Sequence, residues 1–146
     1  MILENRPIES TLQLVEVIKN ALPAKVLSKK GHPAKQTFQA IRIEVNHELD
    51  SLKQFLEMFD RILKEDGRVV NNTFHSLEDK LVKYRFKELS TVEDDKRIAL
   101  RPEEIKQPDY VLLNHGRKAS EAELKKNSRA KSAIVRGIRR THGKIS

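Results

Sequence analysis

Gly67-Arg68-Val69-Val70-Asn71-Asn72-Thr73-Phe74-His75-Ser76-Leu77-Glu78-Asp79-Lys80 is the stretch whose reading decides the fold. Gly67 closes the segment before it, and Arg68 to Phe74 is a short strand. A helix then starts at Ser76, read as its N-cap, with Glu78 and Asp79 favoured by the positive helix end. A strand running straight into a helix is the building unit of α/β sheets, and the turn between them lies at the edge where such sheets bind ligands. His75 occupies that turn. It is the candidate catalytic residue; the competing reading is a histidine that caps or packs against the following helix.

Toward the N-terminus, Ser10 to Leu22 is an amphipathic helix with Leu12, Val15, Ile18 and Leu22 on one face, Ser10 and Gln13 fitting a capping box and Pro23 stopping it. Lys25, Lys29 and Lys30 lie in a loop ending at Gly31-His32-Pro33, where Pro33 suits the first position of a new helix. Phe38, Ile41, Val45, Leu49, Leu52, Leu56, Phe59 and Ile62 recur at steps of three and four, so 34 to 64 is helical, with a break near His47.

Toward the C-terminus, residues 90 to 109 read as an exposed loop carrying Glu93-Asp94-Asp95, Pro102 and Pro108. Tyr110 to Leu113 is a second strand, Ser120 and Glu123 cap a small helix, and Ser132 to Ile138 is a third strand with Ile134 and Ile138 opposite Val135 and Arg139. The order is helices first, then strand, helix, strand, helix, strand: part of an α/β sheet with nothing before it.

Charge is segregated along this chain. Of 29 basic and 21 acidic residues, ten basic and two acidic ones fall in His115–Ser146. That tail therefore carries the whole net charge of +8, and the preceding residues balance. Clustered Lys and Arg neutralise phosphates and release condensed counterions, so nucleic acid is the first partner to consider; a solvated basic tail is the alternative. With 38% hydrophobic and 34% charged residues the chain is lean in core. There is no cysteine, which excludes disulfides and thiolate metal sites, and neither a signal sequence nor a membrane span can be read, so the cytoplasm is expected.

Three stretches carry a family resemblance: Gly31 to Leu49 (Gly-His-Pro-Ala-Lys-Gln-Thr-Phe onward), Gly67 to Val70 running to Phe74-His75-Ser76-Leu77-Glu78-Asp79-Lys80, and Asn127-Ser128-Arg129-Ala130-Lys131-Ser132-Ala133. In order and spacing they resemble the C-terminal half of the bacterial 16S ribosomal RNA cytosine-N4 methyltransferases, the MraW type. The resemblance implies an incomplete class I, Rossmann-like methyltransferase sheet, its last three strands, preceded by part of an all-helical insert. Residues 1–49 would be the insert remnant, 50–140 the C-terminal part of the methyltransferase domain and 141–146 a basic tail.

The same resemblance implies S-adenosylmethionine as the family's methyl donor and 16S rRNA or the small ribosomal subunit as partner. The family's glycine-bearing cofactor loop and ribose-binding acid belong to an N-terminal half, and Gly31, Gly67, Gly116, Gly137 and Gly143 have no dinucleotide-type spacing. This chain alone is therefore expected to bind no donor and to be inactive, working with an N-terminal half in trans, as a homodimer, or as a non-enzymatic RNA-binding remnant. A general basic interaction module ranks behind these. Lys35, Arg42, Arg129, Lys131 and Arg136 are the expected RNA contacts; pairing with neighbouring acids is their alternative role. In the strand, Asn71 and Asn72 stand where the family is apolar, and each would need a buried partner if both sheet faces were covered. Gln36 replaces a usual basic residue. His32, His47, His115 and His142 lack metal-ligand spacing, so no metal is expected. An open sheet edge and an uncovered face are expected liabilities.

Overall fold

His47 sits at φ +50°, in the left-handed region, and splits the long helical run where the sequence places the break. The computed structural model describes residues 2–92 and 107–141, which divide into two units, Met1–Glu48 and Leu49–Ser146. Glu93-Asp94-Asp95, Pro102, His142, Gly143 and Lys144 lie outside the described residues.

In the first unit a single 3₁₀ turn precedes α1 (Thr11–Ala21). Ser10 Oγ accepts from the Gln13 amide, while Gln13 Oε1 reaches back to the Glu9 amide, which satisfies two exposed donors reciprocally. Ile18 is buried, but Leu12 is 76% exposed, so the apolar stripe runs through Leu14, Val15, Val17 and Ile18 rather than through Leu12. The expected loop after Pro23 contains one helical turn, α2 (Ala24–Leu27), because Pro23 serves as an N-cap and offers its carbonyl to Val26 and Leu27. α3 (Lys35–Asn46) begins two residues beyond Pro33, behind a fully buried Ala34 whose amide donates to His32 Nδ1.

α4 (Glu48–Ile62) leads into the second unit. At its end Asp66 takes φ +59°, and a Cβ on Gly67 would meet the Lys64 carbonyl at 2.7 Å. Only glycine fits that close approach. β1 (Arg68–Thr73), α5 (Ser76–Ser90), β2 (Tyr110–Leu112), β3 (Arg117–Lys118), α6 (Glu121–Lys126), a 3₁₀ turn at Ser128–Ser132 and β4 (Ile134–Arg140) follow.

The sheet has four strands, with β4 central: β1 pairs along one side of it, β2 and the unexpected short β3 along the other. Every pairing is antiparallel, so β1 and β2 run parallel to each other with β4 returning between them. Val69, Asn71 and Thr73 share a face with their partners Ile138, Arg136 and Ile134, against the helices. There Leu56 and Phe59 of α4, Val82 and Phe86 of α5, Tyr110 and Ile138 form the core. The Phe59 ring lies 5.8 Å from Phe55, 6.0 Å from Phe86 and 6.2 Å from Tyr110, the last two edge-on. Arg140 closes this core by donating to the Asp60 and Leu63 carbonyls at 2.9 and 2.7 Å, groups left over at the end of α4.

Among the described residues no element covers the opposite face: Val70, Val111 and Leu113 are 66%, 42% and 45% exposed, and β1 pairs only with β4. This corrects the expectation for the asparagines. Because β1 lies at an edge with one open face, Asn72 points to water and Asn71 is half-buried, so neither incurs the cost of a sealed central strand.

Candidate nucleic-acid interface

β1 ends where β4 begins: Thr73 faces Ile134, and Ile134 faces Lys118 of β3. The turn that follows β1 is fixed by its own side chains. His75, not Ser76, is the N-cap of α5; its Nδ1 accepts from the Glu78 amide at 3.4 Å, and Glu78 Oε2 accepts from the Phe74 amide at 2.9 Å. Ser76 is the first helical residue. A ring nitrogen thus takes the part usually played by a hydroxyl, with Glu78 completing the reciprocal pair. The His75 side chain is 7% exposed and its Nε2 lies 3.3 Å from Glu78 Oε1. That placement serves the helix start.

Asp79, one residue on, ties three elements together. Its carboxylate receives Arg136 Nε at 2.8 Å and Nη2 at 3.1 Å, and the single hydroxyl proton of Thr73 is shared between it, at 3.5 Å, and the Ile134 carbonyl, at 3.3 Å. The remaining arm of Arg136 donates to the His115 carbonyl at 2.9 Å, which anchors the turn between β2 and β3. Hydrogen bonding from Arg136 lowers the Asp79 pKa from its ordinary 3.8, against an opposing push from burial. A depressed carboxylate contributes stability that is full above the unfolded value and disappears as pH falls through the folded one. Asp79→Asn should therefore cost about 3 kcal/mol near neutral pH, since it leaves a largely buried guanidinium unpaired. Urea unfolding at several pH values checks this: the gap between wild type and variant should hold at neutral pH and narrow below about 4. A gap that persists in acid would contradict the pairing.

Beside this hub, the chain from β3 to the start of β4 displays six cations, Arg117, Lys118, Lys125, Lys126, Arg129 and Lys131, all exposed, against Glu121 and Glu123. Among the described residues no ion pair engages any of these six side chains. The acids sit in the first turn of α6 and Lys125 and Lys126 in its last, the arrangement its dipole favours. Ser120 Oγ caps that helix through the Glu123 amide, and Asn127 Oδ1 takes the Arg129 amide to start the 3₁₀ turn.

Of the five RNA contacts expected from sequence, Arg129 and Lys131 stand exposed on this segment, whereas Arg136 is bound to Asp79 and His115 beneath it. Lys35 and Arg42 lie on α3 in the first unit, where Lys35 is exposed and Arg42 Nε is 3.6 Å from Glu48 Oε1. Arg117 and Lys118 were not singled out in the sequence; their strand is two residues long, too short for any periodicity to mark.

A model of the MraW methylase family matches residues 2–141. The chain belongs to the MraW methylase family. Methylases of this kind take the methyl group from S-adenosylmethionine, a sulfonium cation. Two clefts among the described residues can be compared with that donor. The cleft beside α5 is lined, among the described residues, by Lys83, Lys87 and Arg136 and by no carboxylate, so these side chains repel a sulfonium. The groove in the first unit is open and lined by Ile2, Ile8, Leu14 and Ile41 with Arg6, Glu9, Ser10 and Thr11. At the end of β1 the Glu78 amide in the first turn of α5 is taken by His75 Nδ1, and the Phe74 amide just before the helix by Glu78 Oε2. No helix is long and apolar enough to cross a membrane among the described residues.

Proposed function

We propose that this chain is the C-terminal, RNA-gripping portion of an S-adenosylmethionine-dependent 16S rRNA (cytosine-N4) methyltransferase acting in the cytoplasm. In this reading methyl transfer requires a further segment, on the same polypeptide or a separate one, that carries the donor pocket. The observation that supports it is the row of six exposed cations from Arg117 to Lys131, without an ion-pair partner among the described residues, held at the edge where β1 ends. Such a row matches a phosphate backbone.

The chemistry favours division of labour. Cytosine N4 is a poor nucleophile because its lone pair is delocalised into the ring, so transfer needs the amine aligned with the sulfonium methyl and acceptors for its protons. The base must also leave its stack. This chain supplies grip and orientation. The exposed face with Val70, Val111 and Leu113, and the free edge of β1, favour a complementing segment that covers both.

The test is a fluorescence-anisotropy titration of a decoding-site fragment of 16S rRNA with the purified chain between about 50 and 200 mM salt. Binding should weaken linearly on a log–log plot with a slope at least as steep as about −4, the share expected of six cations engaging phosphates at ~0.7 each. Binding that ignores salt, or no binding at low salt, would overturn the assignment.

A further inference from the structure

The cleft beside α5 has the charge and construction of a binding site, and it lies apart from the exposed row of cations. It measures about 250 Å³. It is lined by Lys83 and Lys87, one helical turn apart on α5, by Asn114, His115 and Arg136, and by Leu112 above the buried Phe86. Among the described residues neither lysine has an ion-pair partner and no carboxylate lines the space. Asp79, which pairs with the lining Arg136, is already matched by it.

The wall opposite α5 is held rigidly. Arg136 fixes the His115 carbonyl, and Asn114 Oδ1 accepts from the Gly116 amide at 3.2 Å, which leaves Nδ2 as a donor. Gly116 takes φ +105°, and a Cβ there would meet the Arg136 guanidinium at 2.9 Å, so the turn closes onto Arg136 only with glycine at this position. A turn this tightly tied is pre-organised, which lowers the cost of ordering it around a ligand.

We propose that this cleft seats one nucleotide of single-stranded RNA, with its phosphodiester between Lys83, Lys87 and Asn114 and its sugar against Leu112. The inference rests on the RNA reading above and extends it to a second contact region, reached directly from Arg117 through the Asn114–Gly116 turn. A volume just under the ~300 Å³ at which ordinary small-molecule pockets begin suits a single nucleotide and excludes a duplex. Two lysines one helical turn apart supply the positive charge that follows a single-stranded phosphate backbone. Arg136 is a positioning residue here, acting through the His115 carbonyl.

The experiment compares the full chain with Lys83→Gln/Lys87→Gln and, separately, Arg129→Gln/Lys131→Gln, using a fluorescein-labelled single-stranded RNA 12-mer. These exposed substitutions leave the core untouched, which thermal melting checks. Loss of Lys83 and Lys87 should weaken binding about tenfold or more and make the salt slope shallower by ~1.4. In ¹⁵N spectra, cytidine monophosphate should shift the amides of 114–116 in the wild type and cytidine should not. If the α5 pair is silent while Arg129→Gln/Lys131→Gln weakens binding, the cleft proposal falls and the RNA reading stands. If neither variant changes binding, both fall.

Discussion

Phe59→Ala should unfold the second unit or bring it close to unfolding. The ring is 1% exposed and touches three other aromatic rings on two helices and a strand, so its removal leaves a cavity that no single neighbour can fill. Large-to-small aromatic substitutions of this kind cost about 3–5 kcal/mol, out of a typical total of about 5–15. The outer face of the sheet, uncovered among the described residues, adds nothing to compensate. Chemical denaturation followed by circular dichroism should show a midpoint far below wild type, or no cooperative transition. Phe59→Leu, which refills most of the space, should lose much less. A Phe59→Ala midpoint within error of wild type would mean that the core does not sit where α4, α5 and β2 meet.

Replacing Arg117, Lys118, Lys125, Lys126, Arg129 and Lys131 together with glutamine should weaken RNA binding roughly a thousandfold at low salt, because each lost phosphate contact removes the counterion release that drives association. The salt slope should shrink in parallel, leaving the contribution of the α5 cleft. All six side chains are exposed and none holds a partner in place, so melting should be unchanged within about 1 kcal/mol. Retention of wild-type affinity by a folded variant would remove this segment from the RNA-binding surface. The acid sensitivity expected of Asp79 separates structural from functional charge. Asp79 and Arg136 should register in stability, and the six exposed cations should register in binding.

Much of the fold was legible in the sequence because the decisive signals are local. His47 as the break, the β1-to-α5 switch, the Ser120 cap and the alternation of Ile134 and Ile138 each follow from a few neighbouring residues. The misreadings have physical causes. His75 displaced Ser76 as the cap because an imidazole nitrogen accepts a backbone proton as a hydroxyl does, so the residue type gave no warning. Leu12 fits the helical stripe by spacing, yet it lies at the first turn, where the stripe has drifted to Leu14 and Val15. Asn71 and Asn72 were alarming only for a strand covered on both faces, and β1 is an edge with one face open.

The candidate interface was legible as a charge imbalance but not as a geometry. Arg129, Lys131 and Arg136 read alike in a basic tail, whereas their fates differ: two reach solvent, and the third is bound 57 residues back along the chain to Asp79. A long-range ion pair leaves no mark in local spacing. The cleft walls likewise meet only because β2 packs against α5, which brings Asn114 and His115 to Lys83 and Lys87. Spacing along α5 could have flagged the two lysines, at positions i and i+4, as sharing a face.

The division between gripping RNA and supplying the methyl donor is tested most directly by isothermal titration of S-adenosylmethionine into this chain, alone and mixed with a polypeptide carrying the N-terminal portion of an MraW-family methylase. Heat of binding only in the mixture, accompanied by methylation of a decoding-site cytosine, is the expected result. Saturable donor binding and methyl transfer by this chain alone, at homogeneity, would contradict it.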